Sequence, residues 1–288
     1  MENGTLGITE YAFEGCTGLT SVNIPNSVTS IGDNAFEGCK NIAYLELNCP
    51  KIQNRFSDCK ASLKEVKIGM GVELIETNTF KDFTALQRCS FASIESLMDI
   101  TFENASANPL SITKALNVNG KIVTELAIPN SVTAIKNFVL YNCNSVRKVT
   151  GGRNVTSIGE SAFCNNTKIR SVQIGDKVEA VSDYAFSDCS LTEIYNYARQ
   201  PQNVGQNAFT MDKTKCTLYV LPESVDAYAS HQDWYEFDIQ PINNALDIEG
   251  VGSGTTGEPV YYDLQGRRVE QPGRKGIFIV NGKKIIKK

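Results

Sequence analysis

Nine cysteines and a single histidine are the residues of this 288-residue chain with the most chemistry to offer. Thiolate and imidazole together build catalytic dyads and metal sites, and closely spaced cysteine pairs are the usual metal signature. No Cys-x-x-Cys pair occurs here. Instead Cys16, Cys39, Cys59, Cys143 and Cys189 return at one position of a repeating pattern. Free cysteine packs as a small apolar group, so this spacing predicts a ladder of buried thiols rather than disulfides or metal. His231 is the one base available to a Ser/His/Asp or Cys/His arrangement, and it sits beside Trp234 in a segment that reads as a terminal cover. The GVGSG run at 250–254 follows no clear strand and opens no helix, so it is not a nucleotide loop. Acid pairs such as Glu14 with Asp33 read as solvated coil edges. The chain is therefore read as non-enzymatic and free of cofactor and metal, with carboxylate chemistry the one catalytic route left open.

The pattern that carries the cysteines is IxxxAFxxCxxLxxVxIPxSV. It is clearest in Ile8, Ala12, Phe13, Cys16, Leu19, Val22, Ile24, Pro25, Ser27 and Val28. Copies start at Ile31, Ile52 (one residue short early on), Ile75, Ile135, Ile158, Val181 and Val204. Such a comb places the chain among repeat architectures of about 23 residues per unit. LxxVxI alternates with the period of a short strand, Val22 and Ile24 pointing one way and Ser21 and Asn23 the other. Proline ends that strand. The IxxxAF part has helical or turn spacing. One unit offers too few inward apolar groups to offset the entropy of ordering its backbone, so coils must stack to fold.

The phrases AFEGC, IPNSVTSIG and LYVLPESVDAY resemble the BspA-like leucine-rich repeat family of bacterial surface proteins, over about residues 5–242. The resemblance implies a right-handed leucine-rich-repeat solenoid of about nine coils. One parallel β-sheet would lie on one side, with short helical or irregular segments opposite. The chain divides into a solenoid over 1–242 with a cap at about 217–242, a linker over 243–258, and a small β-rich basic tail over 259–288. In the cap, a helix from about Ser224 to Trp234 would set Trp234, Tyr228 and Phe237 over the open end of the core. In the tail, Asn281-Gly282 predicts a hairpin turn. The tail also resembles the C-terminal β-rich tails of exported proteins in Bacteroidetes-type bacteria. A sorting role and a simple attachment module both stay open.

Three departures from the repeat carry expectations of their own. About 14 extra residues in 92–115 read as a bulged surface loop, with a loop placed for binding as the alternative. Phe83 stands where a cysteine is due, and Asn166 does the same while Cys164 directly follows Phe163; both changes should distort packing locally.

Charge narrows the partner. The tail holds eight Lys/Arg against Asp263 and Glu270, a net of +6; with the chain at −4, the remainder carries −10. An acidic body argues against a nucleic acid partner. No apolar run is long enough to span a bilayer, and the chain opens inside a repeat without a secretory leader, which reads as an upstream start missing from it. Outward strand residues would form one continuous face: Ser21, Asn23, Tyr44, Glu46, Glu65, Lys67, Arg88, Ser90, Glu125, Lys148, Ser171, Gln173, Glu193, Tyr195 and Tyr197. Aromatic groups with mixed charge suit protein recognition, and the resemblance implies adhesion to host matrix proteins or other bacteria, outside the cell or on its surface. The alternative is a glycan partner stacking on Tyr44, Tyr195 and Tyr197.

Overall fold

A computed structural model of the protein describes residues 4–242 and, beyond them, the backbone of four strands, Tyr261–Tyr262, Arg268–Val269, Gly276–Val280 and Lys283–Lys287. The chain divides into two compact units, Met1–Pro241 and Ile242–Lys288.

In the first unit the alternating segments become parallel strands. Ser21–Ile24, Tyr44–Leu47, Glu65–Ile68, Arg88–Phe91 and Asn117–Val118 pair in that order. Their inward side chains form rows, Val22 beside Leu45, Val66 and Cys89, then Ile24 beside Leu47, Ile68 and Phe91, all buried. A second run joins Glu125–Ala127, Lys148–Thr150, Ser171–Ile174, Glu193–Asn196, Thr217–Val220 and Asp238–Pro241. The solenoid is thus built as expected, but its long strands form two six-stranded sheets rather than one. Between them the chain doubles back at an Asn119-Gly120 turn, both residues left-handed, and Lys121–Ile122 pairs antiparallel with Asn117–Val118. Asn-Gly favours this tight hairpin.

The repeat's leading Ile or Val opens a second ladder of two-residue strands, among them Ile52, Ile75 and Phe102, then Ile135, Ile158, Val181 and Val204. Coils approach closely there: a Cβ on Gly32 would overlap the backbone of Glu10, so glycine suits position 32.

After that residue the chain makes turns, not a helix. The third residue on is left-handed in most coils, at Tyr11, Asn34, Asn78, Phe138, Ser161, Tyr184 and Asn207. The seventh repeats it, at Gly15, Gly38, Asp82, Asn142, Asn165 and Asp188. Left-handed residues every fourth position forbid a helix and turn alternate N–H groups toward the next coil. Phe13 N donates to Ala35 O at 2.8 Å, Phe163 N to Ala185 O at 2.8 Å and Phe186 N to Ala208 O at 2.8 Å. Coils are thereby bonded along three edges, while the Phe rings stack inside: Phe13 on Phe36 (5.2 Å), Phe36 on Phe56 (4.7 Å), Phe163 on Phe186 (5.0 Å) and Phe186 on Phe209 (5.3 Å).

The stretch 92–115 is not a surface loop. It holds a helix, Ile94–Asp99, capped by reciprocal Ser93–Ser96 hydrogen bonds, a rung of the second ladder at Thr101–Phe102 and a short helix, Leu110–Thr113. Leu97, Met98, Ile100, Phe102 and Leu110 are buried. A full coil passes through this region without the AF and Cys signature. Its added length lies in the Ile94–Asp99 helix and in the hairpin that follows Val118.

Cys39, Cys59, Cys143 and Cys189 are buried, and all nine cysteines are free. Cys16 is exposed, because no described residue stacks over the first coil. Burial pushes the thiols of Cys59 and Cys189 up to about 12 and that of Cys49 to about 11, so the thiolate that reacts with electrophiles is scarce. We predict that in native protein only Cys16 reacts rapidly with a maleimide, and that all nine react after unfolding in guanidinium chloride; several fast equivalents in native protein would contradict the ladder.

The thiols also donate hydrogen bonds. Cys39 Sγ donates to Phe13 O (3.0 Å) and Cys189 Sγ to Phe163 O (3.1 Å). Asn166, expected to distort its layer, fits because it serves the same acceptors: Nδ2 donates to Leu140 O (2.8 Å) and Phe163 O (2.6 Å). Its cost is a buried Oδ1 without a partner. Phe83 likewise finds a place, edge-on to Phe80 at 5.7 Å. Asn166→Cys keeps a donor and removes the orphaned oxygen, so its unfolding free energy should stay within about 1 kcal/mol of the parent or rise. Asn166→Leu removes that donor, leaving Leu140 O to Cys143 N and Phe163 O to Cys189 Sγ alone, and should be about 0.5–1.5 kcal/mol less stable than Asn166→Cys; urea titration of the two variants distinguishes them, and equal stabilities would refute the donor role.

At the C-terminal end of this unit the helix is shorter than expected, Val225–Ala229. Tyr228, Trp234 and Phe237 are buried around Phe209. Trp234 Nε1 donates to Gln202 O at 3.0 Å and Tyr228 Oη to Ala198 O at 3.1 Å. In the second unit the four strands form an antiparallel sheet, Gly276–Val280 lying between Tyr261–Tyr262 and Lys283–Lys287. The 243–258 linker and the Asn281-Gly282 turn of the sequence analysis lie outside the described residues.

Candidate functional site: the strand face

Alternation fixes which side chains the sheets present. On the first sheet one outward row runs Ser21, Tyr44, Glu65, Arg88 and its neighbour runs Asn23, Glu46, Lys67, Ser90, Asn117. Their charges face each other across strands. Lys67 Nζ lies 2.7 Å from Glu46 Oε1, and Arg88 Nη1 lies 3.2 Å from Glu65 Oε2. Tyr44 Oη is 3.4 Å from Glu46 Oε2; burial first, then the Glu46 charge, raises its pKa. The hydrogen bond and charge of Glu46 raise that of Lys67. Tyr44, Glu46, Glu65, Lys67 and Arg88 are therefore brought together on one face, but largely satisfy one another.

The second sheet differs. One row runs Glu125, Lys148, Ser171, Glu193, Thr217, Asp238, and beside it lie Gln173, Tyr195, Tyr219 and Gln240. Tyr195 and Tyr219 stack at 4.7 Å with planes 15° apart, close to the strand spacing. Rings stacked along the ladder cover each other's faces and leave edges and hydroxyls outermost, which is a poor platform for a sugar and a good one for protein contacts. Tyr197 follows the strand Glu193–Asn196 rather than lying in it.

Two features of the face were missed from sequence. The hairpin divides it, so it is not continuous, and it sets Ile122 on the surface at 61% exposure in the row of Asn117. Tyr219 is absent from the sequence-derived face because TLYV, although a last strand by its alternation, falls within the segment assigned to the cap.

His231 does not meet a catalytic set. Its Nδ1 lies 3.8 Å from Asp233 Oδ2 and accepts from Asp233 N at 3.3 Å. Among the described residues no group of three or more His, Cys, Asp or Glu is placed to hold a metal ion, and no helix is long and apolar enough to cross a membrane.

Similar solved structures include a leucine-rich cell surface protein of Faecalibacterium prausnitzii, 16% identical, covering 88% of this chain and 89% of that one with a TM-score of 0.40. A leucine-rich repeat protein of Eubacterium ventriosum is 17% identical, covering 83% and 71%, with a TM-score of 0.40. The leucine-rich repeat protein of T. pallidum is 20% identical, covering 71% and 70%, with a TM-score of 0.26. A search of curated proteins gave no match. The model of the BspA type leucine rich repeat region matches six copies over residues 1–109 and 111–230. With stacked coils, inward layers and outward strand rows all following that repeat, the chain belongs to the BspA-type leucine-rich repeat family.

Proposed function

We propose that the protein is an exported or surface-displayed adhesion module that holds a partner protein on its strand face, chiefly on the second sheet. The carrying observation is the Tyr195–Tyr219 pair flanked by Gln173 and Gln240 and bordered by Ser171, Glu193 and Thr217. Tyrosines offer large contact area at low entropic cost, with a polar rim for register. Lys148 and Tyr197 extend this surface, whereas Glu46, Glu65, Lys67 and Arg88 contribute less because their ion pairs already neutralise them. Host matrix proteins and proteins of other bacteria are the partner class. A glycan stacking on Tyr195 has less support, since Tyr219 covers one ring face.

Binding of the full chain to immobilised matrix proteins or to bacterial cells tests this reading. Tyr195→Ala with Tyr219→Ala should weaken binding at least about tenfold, and Glu46→Ala with Lys67→Ala should change it little. Binding untouched by the tyrosine pair and by substitutions along the whole face would sink the proposal.

A further inference from the structure

One coil is a residue short between its leading Ile52 and Phe56, and this opens a notch on the turn edge, away from the strand face. In the first coil Tyr11, Phe13 and Gly15 each donate an N–H to a carbonyl of the second, Asp33, Ala35 and Glu37. The equivalent donors of the second coil are Asn34, Phe36 and Gly38. Only Gly38 N finds a partner in the shortened coil, and that is a side chain, Asp58 Oδ2 at 2.8 Å. No described residue accepts from Asn34 N or Phe36 N. The space left is a cleft of ≈ 360 Å³ lined by Asp33, Asn34, Phe36, Glu37, Arg55 and Asp58, with Asn54 and Ser57 completing the lining.

Its electrostatics are lopsided. Arg55 Nη2 lies 2.8 Å from Asp33 Oδ1 and Arg55 Nε donates to Ile31 O at 3.2 Å, so the one guanidinium is matched by one carboxylate. Glu37 and Asp58 remain as net negative charge beside two unmet N–H donors. That combination calls for a group carrying a carbonyl acceptor and a cation together. An anion would meet two like charges, and three ligating acids are not brought together for a metal ion.

We propose that this notch is a second binding site, which takes a lysine- or arginine-bearing peptide segment in the place of the missing turn. The segment's backbone carbonyls accept from Asn34 N and Phe36 N, and its cationic side chain reaches Glu37 and Asp58. The site does not depend on the strand-face reading, because it shares no residue with it.

The test is titration of the isotope-labelled full chain with a blocked lysine tripeptide, acetyl-Gly-Lys-Gly-amide, followed by amide chemical shifts. The expected result is a saturable shift at Asn34 and Phe36. A peptide with norleucine for lysine should bind about threefold or more weaker, and Glu37→Gln should weaken the lysine peptide by a similar factor. Inserting one residue after Asn54 restores the repeat length and should abolish the shifts, while Tyr195→Ala leaves them intact. Shifts absent at both amides, equal binding of the norleucine peptide, or tighter binding of a glutamate peptide would each overturn the proposal.

Discussion

Phe186→Ala should lower the unfolding free energy of the solenoid by about 3–5 kcal/mol. Phe186 is fully buried and stacks on both sides, with Phe163 at 5.0 Å and Phe209 at 5.3 Å, both nearly parallel. Deleting it removes the transfer energy of one ring and opens a cavity between two coils whose backbones are tied at Phe163 N to Ala185 O and Phe186 N to Ala208 O. Those ties prevent collapse into the gap, which places the cost at the upper end of the range. Phe13→Ala should cost clearly less, because Phe13 has a stacking neighbour only on the Phe36 side and is partly exposed. Denaturant titration of both variants is the check, and equal losses would mean that the Phe layer is not shared between coils.

Trp234→Ala should cost a comparable amount, about 3–5 kcal/mol, but with a different distribution. Trp234 is fully buried, contacts Phe209, Tyr228 and Phe237, and satisfies Gln202 O. In a stack where each coil contacts only its neighbours, removing the terminal cover loosens the end first. Hydrogen exchange should accelerate most at Thr217–Val220 and Glu193–Asn196 and least at Ser21–Ile24. Uniform acceleration would show instead that the solenoid opens as one unit.

Much of this was legible in the sequence, and the reasons are local. A period-2 strand bounded by proline states both its conformation and its inward face, so Val22, Ile24, Leu45 and Leu47 could be placed from residue types alone. The fixed repeat length then dictates the register, since strands one repeat apart have no alternative pairing that keeps the Phe and Cys layers together. The turn segment was ambiguous because Ala-Phe spacing suits a helix equally well. What decides against a helix is the left-handed pair in most coils, and Tyr11, Phe138 and Tyr184 give no residue-type signal of that conformation. The coil through Phe102 was hidden because it lacks both Ala-Phe and cysteine, its core being filled by Leu97, Met98, Ile100 and Leu110 instead. The division of the face followed from the same gap: without that coil, Asn119-Gly120 could not be seen as a turn between two sheets. Ion pairing on the first sheet was latent in the register, because strands in parallel pairing set Glu46 beside Lys67 and Glu65 beside Arg88.

Everything rests on adjacent coils being bonded to one another along the turn edge as well as along the strands. Residue-resolved hydrogen exchange of native protein tests that directly. The amides of Phe13, Phe163 and Phe186, which donate to the following coil, should be protected as strongly as those of the strands beside them. The amides of Asn34 and Phe36 at the notch should exchange fast. Rapid exchange at Phe163 and Phe186, matching that of surface turns, would contradict the account.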